Sequence, residues 1–293
     1  MDKSALYIAV DIGGTKVHVA LVRNGIVLQE EKFATAAYPD RQTLLQQIID
    51  TIALFFTADV KGIGVGVPGL VDPERGIVYD LVNIPDWNEV ALAELLEAHF
   101  SVKVAVANDA NLFTLGEAGL GAGKSFRHVL GISLGTGIGM GIYANGQLYS
   151  GILSAAGEIG SIPYKDKTIE DYCSSKFFQY QSGKSGEQLM LAAHSGDEEA
   201  LQIFNDFGQH LGQMINLLLF SFAPQSIIFG GSISHSFALF ENSMRQELKK
   251  FPFQRVNEQL VIETAQLKNA VLSGAWMLVK QQLEETRHHP FKP

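Results

Sequence analysis

The chain has a single cysteine in 293 residues, Cys173, which excludes an internal disulfide framework and any zinc site built on several thiolates. It is also short of positive charge, with 22 Lys plus Arg against 31 Asp plus Glu and a formal net charge of −9. Nucleic acid and anionic membranes are bound by clustered cations, so neither is expected as a partner. Long apolar runs are missing as well. The longest, 215–223, contains Asn216 and Ser221 and stops at Pro224, well short of a bilayer span. At the N-terminus Leu6–Val10 is too brief for a signal h-region and Asp11 follows at once, so a cytoplasmic protein is expected. The eight histidines show no paired metal spacing and read as surface or core residues. What is present is a large apolar fraction, 46%, with 18% charged residues, a composition that excludes disorder and supports one large or two ordinary domains.

Turn residues and periodicity divide the chain. Leu6–Val10 is expected to be a buried strand broken by Gly13-Gly14, and Val17–Val22 a second strand. Asn24-Gly25 is a two-residue hairpin signal ahead of a third strand over Ile26–Gln29. Leu44, Leu45, Ile48, Ile49, Ile52, Phe55 and Phe56 recur at helical spacing and predict a helix over 41–56. Strands follow at 60–67 and 102–107, with helices at 90–100 and 108–119. Later, 186–195, 198–222, 237–251 and 270–285 read as helices, 226–232 and 260–264 as strands, and 154–186 as a polar, less regular segment. This alternation is an α/β pattern with a parallel component. The 29 glycines gather at a few strand ends and are expected to mark turns.

The opening is repeated. Gly14-Thr15 matches Gly135-Thr136 and Asn24-Gly25 matches Asn145-Gly146, both at an offset of 121 (135 − 14 and 145 − 24), with apolar strands on either side. Two hairpins can share common turn residues, yet shared order at one offset favours an internal duplication. Two similar α/β halves, each offering a Gly-Thr turn, suggest a cleft whose two loops hold one phosphorylated ligand. No composition shift marks a linker, and the boundary is placed between Gly116 and Phe126, giving a smaller N-terminal domain (1–117 with the C-terminal helix, 278–293) and a larger one (118–277).

Three motif matches fail on context. Gly119–Ser125 resembles a phosphate-binding loop, but a helix precedes it where a strand is required and Ala118 stands in place of the first glycine. Gly64-Val65-Gly66-Val67-Pro68-Gly69 fits a dinucleotide-binding pattern, but Pro73 and Gly76 follow where a helix must start. Gly131-Ile132-Ser133-Leu134-Gly135 fits a hydrolase nucleophile elbow, but a glycine-alternating strand follows instead of a helix. Ser133 therefore reads as an ordinary strand residue.

Three glycine turns remain: Asp11–Lys16, Leu134–Gly139 and Gly230–Ser232. Glycine lets backbone N–H groups converge on phosphate oxygens without a side chain between them. Thr15 and Thr136 can add hydroxyl donors and Lys16 a charge. One such turn is usually only a hairpin; three, each after a buried strand, favour nucleotide binding. Asp11 is either a turn-capping carboxylate or an outer-sphere ligand of the Mg²⁺ that accompanies a nucleotide, an ion that keeps several waters and takes one or two carboxylates. Asn108-Asp109-Ala110-Asn111 stands between a buried strand and a helix. Helix capping explains one of these polar residues well and does not easily explain all of them. Asp109 could take a proton from a substrate hydroxyl while Asn108 orients that substrate. Glu158 and Glu170, each alone more often a solvated carboxylate, would with Asn83 and Asn108 supply the donors and acceptors that a polyhydroxylated ligand requires.

These residues together resemble the ROK family of sugar kinases and sugar-responsive repressors. Asp11-Ile12-Gly13-Gly14-Thr15-Lys16 resembles its first phosphate loop and Leu134–Gly139 its second. Gly66-Val67-Pro68-Gly69-Leu70-Val71-Asp72 and Asn83-Ile84-Pro85-Asp86-Trp87 resemble two further family segments; Asn108–Asn111 resembles the catalytic motif and Gly230-Gly231 the adenosine-side turn. The resemblance implies a duplicated, actin-like ATPase fold (ribonuclease H-like) with two domains around a cleft. It implies ATP-dependent transfer of a γ-phosphoryl group to a hexose or N-acetylhexosamine hydroxyl, usually O6, with Asp109 as general base. Gly69, Asn83, Asn108, Asp109, Glu158 and Glu170 would hold the sugar. Gly13, Gly14, Thr15, Lys16, Gly135, Thr136, Gly137, Gly230 and Gly231 would hold ATP, with Mg²⁺ near Asp11 and a homodimer as the assembly.

Two departures qualify the resemblance. Family members commonly carry a histidine and a cysteine-rich zinc motif after the first sugar-binding glutamate. Here Gly160 is followed by Ser161 and Thr168 occupies the last cysteine position, so zinc is not expected and sugar identity is left open. Family repressors carry an added helix-turn-helix domain, whereas this chain begins at its first strand, so repression is not expected. An active kinase is the first reading and a non-catalytic sugar sensor the second. A hydrolase using Ser133 is a distant third.

Overall fold

Asn24 and Gly25 adopt φ of 52° and 77°, and Asn145 and Gly146 adopt 56° and 82°, so both Asn-Gly pairs form the left-handed turns that close tight hairpins. The computed structural model describes residues 5–38, 40–79, 81, 84 and 87–288. In chain order its elements are β1 (Leu6–Ile12), β2 (Lys16–Arg23), β3 (Ile26–Ala34), α1 (Arg41–Phe55), β4 (Val60–Val67), β5 (Leu70–Asp72), β6 (Ile77–Tyr79), β7 (Glu89–Ala91), α2 (Leu92–Phe100), β8 (Lys103–Asn108) and α3 (Asp109–Leu120). There follow β9 (Val129–Leu134), β10 (Ile138–Ala144), β11 (Gln147–Tyr149), β12 (Pro163–Tyr164), β13 (Lys167–Thr168), α4 (Ile169–Cys173), α5 (Ser175–Ser182), α6 (Gly186–His194) and α7 (Glu198–Phe222). The last elements are β14 (Ser226–Gly230), α8 (Phe237–Leu248), α9 (Gln254–Asn257), β15 (Val261–Thr264) and α10 (Ala270–His288).

The duplication is visible in the strand order. One sheet runs β3-β2-β1-β4-β8 and the other β11-β10-β9-β14-β15. In each, the first strand of the half pairs antiparallel with its hairpin partner and parallel with the strand on its other side. Contacts divide the chain into a first unit, Met1–Lys124 with Leu148–Ala156 and Leu267–Pro293, and a second, Ser125–Gln147 with Gly157–Gln266. The boundaries expected at 117/118 and 277/278 fall inside α3 and α10. These helices pack together within the first unit, which runs to Lys124, inside the expected 116–126 interval, and resumes at Leu148–Ala156 and Leu267.

In the first unit β4 separates two layers. Ile63, Val65 and Val67 enter the core with Leu44, Ile48 and Ile52 of α1. The opposite face is glycine: a Cβ at Gly62 would lie 2.7 Å from Val279, one at Gly66 2.9 Å from Val271, and one at Gly64 would strike the Ala275 carbonyl. These glycines seat α10 on the sheet and do not mark turns, contrary to the expectation from composition. Gly116 and Gly274 do the same between α3 and α10, where an added Cβ would strike the carbonyls of Ala270 and Leu112. Gly274→Ala is expected to destabilise the protein by about 1–3 kcal/mol, the usual cost of overpacking, as a lower urea midpoint. An unchanged midpoint would mean that the two helices do not meet at this glycine.

In the second unit Gly208 and Gly212 bring α7 against α8 in the same manner, and Phe178, Phe204, Phe207 and Phe240 fill the core. Several elements escaped the sequence reading. Val90 belongs to β7, in a small β5-β6-β7 sheet, and the helix starts at Leu92. The segment 154–186 contains a hairpin, β12-β13, and the short helices α4 and α5. Helix α8 stops at Leu248, and α9 follows as a separate turn. Among the described residues no helix is long and apolar enough to cross a membrane.

Candidate functional site

In the first unit the chemistry gathers at the carboxyl ends of parallel strands. Asp11 of β1 lies opposite Gly66 of β4, and Val67 of β4 opposite Asn108 of β8. Open α/β sheets place their ligands just outside such ends. The first glycine turn is closed by Gly13 N–H donating to the Lys16 carbonyl at 2.9 Å and braced by the Thr35 hydroxyl on the Gly13 carbonyl at 2.7 Å. Gly14, Thr15 and Lys16 are exposed. Burial pushes the Asp11 carboxyl up to about 6, opposed by the charge of Lys16. A half-buried carboxylate with one opposing cation fits a hydrated Mg²⁺ held through its waters.

Asn108 caps α3. Its Oδ1 accepts the Asn111 N–H at 3.1 Å, while its Nδ2 donates to the Gly69 carbonyl at 3.1 Å. The structure thus brings Asn108 and Gly69 together and gives Asn108 the capping role weighed in the sequence. Asp109 starts the helix with Oδ1 accepting the Ala110 N–H at 2.8 Å, a position where helix-end amides favour the ionised form. Asn111 is fully buried, and neither atom of its amide has a hydrogen-bond partner. Capping therefore accounts for one of the three polar residues. Asn83 lies outside the described residues.

In the second unit the Gly135 N–H donates to the Gly137 carbonyl at 3.0 Å, Thr136 is exposed, and a Cβ at Gly135 would meet nothing within 4 Å. Strand β14 runs beside β9 with Gly230 opposite Ser133. At Gly231, with φ of 80°, a Cβ would strike the Leu134 carbonyl. The second and third glycine turns are therefore neighbours at adjacent strand ends.

Glu170 leans on the second turn. Its Oε2 accepts the Ile138 N–H at 3.2 Å and would lie 2.6 Å from a Cβ at Gly137. Its Oε1 pairs with Lys176 at 2.6 Å, a partner that sequence reasoning missed because nothing in the spacing joins a glutamate of α4 to a lysine of α5. Desolvation, then the charge of Glu170, raise the Glu158 carboxyl above its ordinary value. The Glu170 charge thus reaches Glu158.

The place of the family zinc motif is taken by β12-β13. Ser161 is exposed, Thr168 is engaged in capping α4 with Asp171, and the Cys173 thiol is buried and pushed up in pKa. Among the described residues no group of three or more His, Cys, Asp or Glu could hold a metal ion. This donor set does not fit a structural zinc. Instead Tyr164 packs against Tyr172 and His210. Burial, with Lys165, holds His210 down at about 4. The unfolded chain then binds the extra proton between about pH 6.5 and 4. This histidine is accordingly expected to withdraw stability as pH falls through that window, by up to about 3 kcal/mol. Its replacement by Asn should flatten the acid limb of a denaturation series, and an unaltered limb would contradict the shift.

The failed motif matches stay failed. Ser133 lies within β9, and the chain after it enters β10, not a helix. The backbone N–H groups of Gly121, Ala122 and Gly123 all donate to Glu117, closing α3.

Residues 7–282 match the family model described as ROK family. A glucokinase of Halalkalibacterium halodurans is 28% identical, with 94% of this chain and 95% of that protein covered. A xylose repressor of Bacillus subtilis is also 28% identical, covering 88% of this chain and 71% of the repressor. A ROK family glucokinase from Streptomyces griseus, solved in complex with glucose and AMPPNP, superposes with a TM-score of 0.79 at 28% identity over 94% of this chain and 100% of that one.

Proposed function

The chain belongs to the ROK family, and on that premise we propose that it is an ATP-dependent sugar kinase, moving the γ-phosphoryl group to a hexose hydroxyl, in the first instance O6 of glucose or a related hexose or N-acetylhexosamine. The observation that carries this reading is the alignment of Asp11, Gly69 and Asn108-Asp109 at the ends of three adjacent parallel strands. In this reading Asp11 would serve the cation, Gly69 and Asn108 the sugar, and Asp109 the proton, all at the carboxyl ends of neighbouring strands.

In the proposed reaction Asp109 accepts the hydroxyl proton as the sugar oxygen attacks the γ-phosphorus, and ADP departs. Asn108 and Gly69, with Glu158 and Glu170, orient the sugar. The turns at Gly13–Lys16 and Gly135–Gly137 hold phosphate oxygens, and Gly230-Gly231 serves the adenosine side. Mg²⁺ near Asp11 would neutralise phosphate charge. Phosphoryl transfer asks chiefly for positioning and charge neutralisation, which these groups supply. The donor set after Glu158 supports a zinc-free enzyme. We also propose a cytoplasmic protein and a homodimer, the dimer supported by the exposed Leu217, Phe220, Phe222 and Phe253 of the second unit.

A second reading, a sugar sensor without turnover, draws on the likeness to a repressor and on the Lys176–Glu170 pair, which occupies a carboxylate oxygen intended for sugar. ADP release with Mg²⁺-ATP over a panel of hexoses and N-acetylhexosamines separates the two. Sugar-dependent release supports the kinase; silence with calorimetric sugar binding favours the sensor.

A further inference from the structure

Glu170 sits in the first turn of a five-residue helix, α4, too short to hold its own conformation in water. We infer that Tyr164, His210 and Gln213 form a metal-free clamp that positions Glu170 for the sugar. This inference rests on the kinase reading above. Tyr164 stands on β12, opposite Lys167 of β13, and β13 runs directly into α4. The Tyr164 hydroxyl donates to Gln213 and lies 3.1 Å from His210 Nδ1. A phenol has one proton, so the neutral histidine supplies the Nδ1–H of the second bond.

His210 and Gln213 are one turn apart on α7, a 25-residue helix packed along α8, so the clamp is anchored to a long, well-packed element. From there the grip passes to α4 through the Tyr172 ring, 5.3 Å from Tyr164 and 4.7 Å from His210 between centroids. Lys165 Nζ covers both tyrosine rings at 5.7 and 5.3 Å, a favourable cation–π arrangement. At the far end of α4 lies Cys173, buried in the core. Glu170 is left directed at the Gly137–Ile138 backbone. His210 and Tyr164 touch neither sugar nor phosphate in this account; they are positioning residues.

The test uses the full-length protein and its His210→Ala, His210→Asn and Tyr164→Phe variants. Asparagine can return a donor near the Nδ1 position, so it serves as the conservative rescue. His210→Ala is expected to raise the sugar KM by about 10–100-fold, the range for groups that orient a binding residue from behind, with the ATP KM unchanged. His210→Asn should recover most of that loss, and Tyr164→Phe should raise the sugar KM in the same direction. Hydrogen exchange over residues 163–173 should quicken in the alanine variant and return towards wild type in the asparagine variant. Unchanged exchange would overturn the clamp, and quickened exchange with an unchanged sugar KM would overturn its positioning role. If wild type shows no sugar-dependent turnover, the kinase reading fails by itself. Calorimetric affinity for the same sugars then replaces KM, and affinity equal in wild type and His210→Ala would overturn the positioning role there too. Should the alanine variant not fold, Tyr164→Phe carries the same comparisons. One zinc per chain in the purified protein would contradict a metal-free clamp.

Discussion

Asp109→Asn is expected to lower turnover by about 10²–10⁴-fold, the usual share of general-base catalysis, while leaving sugar and ATP KM near their wild-type values. The substitution keeps the backbone contact made at this position. Asp109 Oδ1 accepts the Ala110 N–H at the head of α3, and an asparagine oxygen can accept the same bond. The helix cap belongs to Asn108 and is untouched. What disappears is the capacity to take up a proton. A loss confined to kcat is the signature of an interaction used in the transition state and not in the ground state. Near-normal turnover would remove Asp109 from that role, and a parallel rise in sugar KM would recast it as a binding residue.

Asp11→Asn should divide stability from activity. Burial raises the Asp11 carboxyl from 3.8 to about 6 in the folded chain. The cost of ionising it is absent below the unfolded value and fully present above the folded one, where it amounts to about 3 kcal/mol at most. Asn avoids that cost, so the ligand-free variant should gain stability at pH 8 and little at pH 4. Turnover with Mg²⁺-ATP should fall by about 10–100-fold, as for other groups that hold a metal through its waters. This carboxylate works against His210: it returns stability as pH falls through 6, while His210 withdraws it over part of the same range. The variant should therefore show the acid loss from His210 undiluted. Equal or lower stability at pH 8 would mean that the carboxylate is not strained in the ligand-free fold.

The duplicated halves were legible because turn chemistry is local. Asn-Gly at 24–25 and 145–146 requires left-handed backbone whatever surrounds it, and the common offset survives in the strand orders. The strand-end motifs were legible for the same reason. Glycine was read too simply. Alternation at Gly62, Gly64 and Gly66 is a strand pattern with one face stripped of side chains, and what stripped it is α10, more than two hundred residues later. No local rule carries that distance. The cuts at 117 and 278 fell inside helices for the same cause, since α3 and α10 join only in three dimensions. Helices α4 and α5 escaped because they are short and polar, although Ile169, Cys173 and Phe177 recur every four residues. The Lys176–Glu170 pair and the Tyr164–His210 contact are tertiary, and in sequence they were merely a charge, a tyrosine and an unassigned histidine.

Phosphorus-31 NMR of the product mixture, with Mg²⁺-ATP and a sugar that stimulates ADP release, tests the kinase reading most directly. The reading predicts a sugar phosphomonoester that appears in step with ADP, its phosphorus coupled to the methylene protons of C6, and lost in Asp109→Asn. ADP accompanied only by inorganic phosphate, or an ester undiminished in the variant, would contradict it.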